Sequence, residues 1–209
     1  TRSVGVTGVQ TCALPIFGCG LETSYFRLAP PEEVKFYEMD LPEVIAARRR
    51  VLGESKNEIL IAGDMFDFAW AEKIDKTLPT MITAIGVFQY FDESSVIGFL
   101  RKAKEIFERT EVIFDAMTQR AIKYANDHIR KTGNKDAELK FSADSGESIA
   151  GKANMTLVEE RPFFGDARSQ LRKKLTLYTR IAMKVVDESG RRGFLVHLKA
   201  RLVDRKSVV

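Results

Sequence analysis

Short apolar runs alternate with amphipathic stretches along most of the chain. Residues 34–39, Val-Lys-Phe-Tyr-Glu-Met, are rich in strand formers and end at the acid Asp40. Residues 41–52 have the marks of a helix: Pro42 and Glu43 in the first turn, Gly53 just past the last. That last turn carries Arg48, Arg49 and Arg50. Consecutive residues fan around a helix, so the expectation for these arginines is a solvated turn rather than a phosphate grip. Residues 58–64 read as a short buried strand ending in Asp64, residues 66–74 as a helix carrying Trp70, and residues 80–88 as a long apolar strand suited to the middle of a parallel sheet. Asp92 is placed to cap a helix over 93–109, with Val96, Ile97, Leu100, Ala103 and Phe107 at helical spacing. Residues 111–115 form the next strand.

Beyond Asp115 the pattern changes. Residues 117–130 read as a helix, 131–140 as a polar loop and 145–149 as a second, short helix. Residues 155–162 and 194–198 read as strands joined by an amphipathic helix over 167–186, with a turn at 188–193. The alternation predicts an α/β fold of right-handed βαβ units, helices on both faces of a mostly parallel sheet, closed by an antiparallel hairpin.

Ahead of all this lies Phe17-Gly18-Cys19-Gly20-Leu21-Glu22-Thr23, followed by a short helix over 23–28 that Pro30-Pro31 stops. Two glycines one residue apart let backbone N–H groups approach a polar ligand closely. A Gly-x-Gly match alone is common. Asp40 gives it weight: it lies twenty residues past Gly20, where a nucleotide-binding unit sets its ribose-holding carboxylate.

The ends of the chain change the composition. Residues 6–16 are what a common sequencing-library adapter encodes in one frame, and residues 204–209 match adapter sequence at the other end. The expected organisation is therefore a non-native segment over 1–16, one domain over 17–203 that is incomplete at its N-terminus, and a non-native segment over 204–209. Arg2, Arg205, Lys206 and Asp204 lie in those ends, so the formal charge falls from +4 to +2. Such a balance gives no basis for nucleic-acid or polybasic membrane binding. Cys19 is the one cysteine left in 17–203, which points to a reducing cytoplasm, and no apolar run reaches the ~18 residues of a membrane span.

Four segments in order carry a resemblance: Gly18-Cys19-Gly20-Leu21-Glu22-Thr23; Glu38-Met39-Asp40-Leu41-Pro42-Glu43-Val44-Ile45; Ala62-Gly63-Asp64-Met65-Phe66-Asp67; and Gly86-Val87-Phe88-Gln89-Tyr90-Phe91. Together they are similar to the S-adenosylmethionine-dependent methyltransferases of the leucine carboxyl methyltransferase and polyketide O-methyltransferase group. The resemblance implies a Rossmann-like, seven-stranded sheet whose first strand is here replaced by non-native residues. It implies S-adenosyl-L-methionine as cofactor, held by Gly18, Cys19, Gly20, Thr23, Asp40, Leu41, Asp64, Met65 and Gly86. Asp40 would accept from the ribose hydroxyls, and Asp64 with the Met65 backbone would meet the adenine edge. Gln89, Tyr90 and Asp115 would border a small-molecule methyl acceptor, with a carboxylate or hydroxyl as the methylated group. Each residue also has a plainer reading: Asp40 as an N-cap for the helix starting at Leu41, Asp64 as a strand-end cap, Gln89 to Phe91 as a helix-entry turn, Cys19 as a small filler.

Three departures are visible. Pro15 lacks a donor and is awkward in a central strand. Ile85 stands where the group often has a Glu. The helices that precede the first strand in the group, one bearing an Arg for the cofactor carboxylate, have no counterpart. The expectation is that this polypeptide binds cofactor weakly or not at all, whereas its intact parent is an O-methyltransferase. No general base stands out: His128 reads as a solvated or capping residue and His197 as a satisfied sheet histidine. Two rivals stand beside this reading, an NAD-dependent Rossmann oxidoreductase and an inactive fragment acting only as a binding module.

Overall fold

The computed structural model describes residues 12–134, 137–189 and 192–200. Seven strands form one sheet in the order β3-β2-β1-β4-β5-β7-β6. They are β1 (Cys12–Phe17), β2 (Val34–Asp40), β3 (Glu58–Ala62), β4 (Thr80–Ala84), β5 (Thr110–Met117), β6 (Met155–Pro162) and β7 (Gly193–Ala200). The first five pair in parallel; β7 runs antiparallel to both β5 and β6. The helices are α1 (Ser24–Leu28), α2 (Pro42–Leu52), α3 (Glu93–Ile106), α4 (Gln119–Lys131), α5 (Gly146–Ala153), α6 (Gly165–Gln170) and α7 (Leu177–Glu188). The strand order reverses between β1 and β4, so a crevice opens beyond their carboxyl ends, where open α/β sheets hold ligands.

The two faces of the sheet are packed differently. On one, Phe17 at the end of β1 meets Trp70 edge-on at 4.7 Å and Phe99 of α3 at 5.3 Å. Phe88 extends that cluster to Phe114 of β5. Edge-on aromatic pairs of this kind add about 0.5–1.5 kcal/mol each beyond the area they bury. On the other face, below α2, the space between β2 and β3 is filled by a charged group. Arg48 is wholly buried and its guanidinium lies 3.1 Å from Glu38 and 2.8 Å from Glu58. Arg49 and Arg50 are exposed, as a solvated last turn requires; Arg48 corrects that expectation. It sits three residues after buried Ile45 and so shares the inward stripe of the helix.

Other boundaries moved for local reasons. The strand expected over 80–88 stops at Ala84, because Gly86 turns the chain at φ +75° and a short 3-10 turn, Phe88–Tyr90, follows. Residues 66–74 yield a 3-10 turn, Ala69–Lys73, entered through Asp67, whose Oδ1 accepts the Ala69 N–H. The long helix expected over 167–186 is two helices, the second begun by Thr176, which accepts the Thr179 N–H. Asp92 caps α3 as expected, accepting from Ser95.

β1 is the less expected element. It occupies the centre of the sheet with Pro15 inside it. Ala13 donates to the Pro79 carbonyl, so alternation turns the nitrogen of residue 15 toward β4 as well. Proline has no hydrogen to give there. The β1–β4 partners are Ala13 with Thr80 and Ile16 with Thr83, and the rung between them is missing while the register continues.

Candidate functional site

Asp40 organises the crevice. It closes β2, and its two carboxylate oxygens accept the backbone N–H groups of Gly20 and Leu41, each at 2.8 Å. The helix N-cap read for it does not form: α2 is entered through Leu41 without a side-chain cap. A carboxylate offers about four lone-pair sites, so two such bonds fix its orientation and leave capacity for a ligand. Its own carbonyl accepts the Gly63 N–H at 3.1 Å, which ties the end of β3 to the same place.

The glycine turn fits because Gly18 and Gly20 take φ values of +60° and +48°. A Cβ on Gly18 would stand 2.3 Å from Val87 Cγ2, so the turn and the Gly86–Val87 segment touch only through the missing side chain. Cys19 points inward and is buried; burial, helped by the charge of Glu38, pushes its thiol up to about 12. Such a thiol stays protonated and serves as filler. On the far side, Asp64 is exposed and its Oδ1 accepts the Phe66 N–H, while the Trp70 indole donates to the Met65 carbonyl at 2.9 Å.

These groups surround one crevice of ≈ 390 Å³, a size in the ordinary range for small-molecule sites. Gly18, Asp40, Leu41, Asp64, Met65, Gly86 and Tyr90, all expected from the sequence, line it. Phe91, read from the sequence as a pocket residue beside Tyr90, also lines it; Phe17, Met39, Gly63 and Val87 complete the wall and were not singled out. Gly20 reaches the crevice through Asp40, and Cys19 lies beneath it. Thr23 precedes α1 without a side-chain cap, and the carboxylate of Glu22 takes the Ser24 N–H instead.

Asp115 is buried and holds the Gly86 N–H at 2.7 Å, with the Gln89 amide at 3.4 Å. Burial raises its pKa, against the pull of the Gly86 N–H. Its place is behind the Gly86 turn, which it fastens to β5. His128 is exposed at the end of α4 with Nδ1 2.9 Å from the Tyr124 carbonyl, and His197 meets Glu111 across the β7–β5 pair at 2.7 Å. Neither lies among the crevice residues. Among the described residues no helix is long and apolar enough to cross a membrane.

The sheet order and the crevice define a Rossmann-like methyltransferase fold, and comparison with known proteins agrees. Solved structures sharing it include a DUF574 family protein from Streptomyces avermitilis (TM-score 0.64, 15% identity, 90% of this chain and 75% of that one). Mycolic acid cyclopropane synthase CmaA1, complexed with SAH and CTAB, aligns at TM-score 0.59 and 12% identity over 92% of this chain and 79% of its own. An O-methyltransferase family 2 protein from Planctomyces limnophilus, in complex with apigenin, aligns at 0.54 and 15% over 91% and 51%. In sequence, residues 7–103 match the leucine carboxyl methyltransferase family. The tetracenomycin polyketide synthesis O-methyltransferase TcmP of Streptomyces glaucescens is 25% identical over 158 residues, 72% of this chain and 57% of that protein. Slightly less than half of this chain is thus similar to that family, and the chain spans little more than half the length of this curated relative.

Proposed function

We propose that residues 17–203 are the cofactor-binding domain of an S-adenosyl-L-methionine-dependent O-methyltransferase, acting on a carboxylate or hydroxyl of a small or polyketide-like molecule. The observation that carries this is the convergence of Gly18, Asp40, Asp64 and Gly86 on one crevice at the reversal of strand order. TcmP is named for polyketide O-methylation, and CmaA1 was solved with SAH. On this reading residues 1–16 and 204–209 are non-native ends, and the working compartment is the cytoplasm, where both cysteines stay reduced.

The residues present suit the cofactor. Asp40, already oriented by two backbone donors, has lone pairs for two ribose hydroxyls. Asp64 is an exposed acceptor beside the Met65 backbone, placed for an adenine amino group. Gly18, Cys19 and Gly20 keep the turn thin enough for the methionine portion to pass, Thr23 and Leu41 flank it, and Gly86 does the same from β4. When bound, the sulfonium supplies an electrophilic methyl group. The protein's part is to hold the acceptor oxygen in line and to exclude water. A carboxylate acceptor is ionised near neutral pH and needs no base; a hydroxyl must release a proton. Tyr90, which lines the crevice, is our candidate for the acceptor side, with Gln89 and Asp115 behind it and Asp115 holding the Gly86 turn.

A titration with S-adenosylhomocysteine, followed by amide NMR, tests this reading. Binding on the order of 0.1–1 mM is expected, with shifts confined to Gly18, Gly20, Leu41 and Asp64. Equal shifts with NADH would transfer the site to a nicotinamide cofactor.

A further inference from the structure

Arg48 does more than neutralise two acids. Its Nη1 donates to the carbonyls of Glu22 at 2.7 Å and Gly20 at 3.2 Å, and its Nη2 donates to Glu58 Oε1 at 2.8 Å. One buried guanidinium thus joins α2 and β3 to both carbonyls at the end of the glycine turn. The Gly20 carbonyl it holds belongs to the residue whose N–H meets Asp40. The planar fork of an arginine can serve several acceptors at fixed angles; a lysine ammonium on a flexible stem cannot reach the same set together.

The charges around Arg48 do not balance when every acid is ionised. Glu38 of β2, Glu58 of β3 and Glu22 of the turn face this one cation, with Cys19 and Asp40 as the further titratable neighbours. Glu22 Oε1 and both Glu38 oxygens are buried, and no donor among the described residues satisfies them. Glu38 is the most enclosed of these acids: it is wholly buried, and the charges of Glu22 and Glu58 both act on it. Like charges crowded into a buried site repel, and a proton on the most enclosed of them relieves that repulsion.

We propose that Arg48 is the positioning residue of the glycine turn, and that it holds Gly20 against Asp40 only while buried Glu38 keeps its proton. Ionising Glu38 would leave an uncompensated buried charge behind the turn, relieved by swinging Glu22 outward, and the Glu22 carbonyl would leave Arg48. Glu22 is already in contact with exposed Arg27, which gives it a place to go. The inference rests on the reading that this turn meets the cofactor: pH would then tune cofactor affinity through a group that does not touch the ligand.

The test is amide exchange of Gly20, corrected for intrinsic rate and referred to Val112 in β5 of the same sample. In the native chain, Gly20 protection is expected to fall about tenfold between about pH 5.5 and about pH 8.5 while Val112 stays constant. Glu38→Gln, which mimics the protonated acid, should keep the protection and abolish the pH step. Arg48→Lys should lower Gly20 protection at every pH. A flat profile in the native chain, or an unchanged step in Glu38→Gln, overturns the proposal. So does native-like protection in Arg48→Lys. If Arg48→Lys loses Val112 protection too, the Glu38→Gln comparison decides. Adding S-adenosylhomocysteine to the native sample separates the two readings: a turn that behaves as expected without ligand shifts overturns the cofactor assignment and leaves the role of Arg48 standing.

Discussion

The Gly20 amide and the Asp40 carboxylate meet at 2.8 Å across twenty residues of sequence, and the crevice is built around that bond. It joins the turn after β1 to the end of β2, and a second bond from Leu41 locks the same carboxylate from the helix side. Backbone donors thereby set the direction of this carboxylate at the rim of the crevice.

Removing that acid has two separable effects. Asp40→Ala leaves the N–H groups of Gly20 and Leu41 without their partner, and a loss of about 1–3 kcal/mol in stability is expected. Affinity for S-adenosylhomocysteine should fall by more than about tenfold, the cost of one lost charge-assisted contact. Denaturant melts and NMR titrations measure both; unchanged affinity would remove Asp40 from the site.

Gly18→Ala tests the turn from the steric side. The residue sits at φ +60°, and its new methyl would collide with Val87. The backbone strain and the displaced valine together should destabilise the protein by about 1–3 kcal/mol. Val87 lines the crevice, so ligand shifts at Gly86 and Tyr90 should also change. A native melting temperature for this variant would show that the turn is looser than the structure makes it.

The buried Glu38 gives stability a pH dependence of definite sign. Burial first, with the nearby charge of Glu22 adding to it and Arg48 opposing it, raises its pKa from 4.5 to about 8. The folded state therefore holds this proton more tightly than the unfolded chain. Its contribution is complete below the unfolded value near 4.5 and is lost as pH rises through about 8. Within that window stability should decline by at most about 1.4 kcal/mol per pH unit from this group. Urea midpoints for native and Glu38→Gln proteins check it: the variant should show the shallower decline, and equal slopes would mean Glu38 does not titrate there.

Pro15→Val tests the missing rung of the central strand. A residue with an N–H at this position faces the Met81 carbonyl, by the alternation that Ala13 and Pro79 establish. Restoring the bond should stabilise the sheet by about 0.5–1.5 kcal/mol. A melt showing no gain would mean that β1 already accommodates the proline without loss.

Much of this fold could be read from local signals. Asp92 and Ser145 sit where helices begin, the apolar runs of β4 and β5 lie inside the sheet, and the two late strands pair as a hairpin. Asp40 was legible because strand-end acids after a glycine turn have a characteristic spacing. What escaped depends on distant partners. Residues 85–88 continue an apolar run, yet the strand stops because Asp115, twenty-nine residues on, holds the Gly86 N–H. Arg48 looked like one of three solvated arginines; only its inward position after Ile45, together with acids inside two strands, marks it as buried. The tolerance of Pro15 in β1 depends on pairing with β2 on its other side, which no local signal records.

The most direct measurement is an amide NMR titration of this chain with S-adenosylhomocysteine, repeated with NADH. The expected result is saturable shifts at Gly18, Gly20, Leu41 and Asp64, with a dissociation constant on the order of 0.1–1 mM and no matching response to NADH. Silence at these four amides up to several times that concentration, or an equal response to NADH, would contradict the assignment of the crevice to an adenosyl sulfonium cofactor.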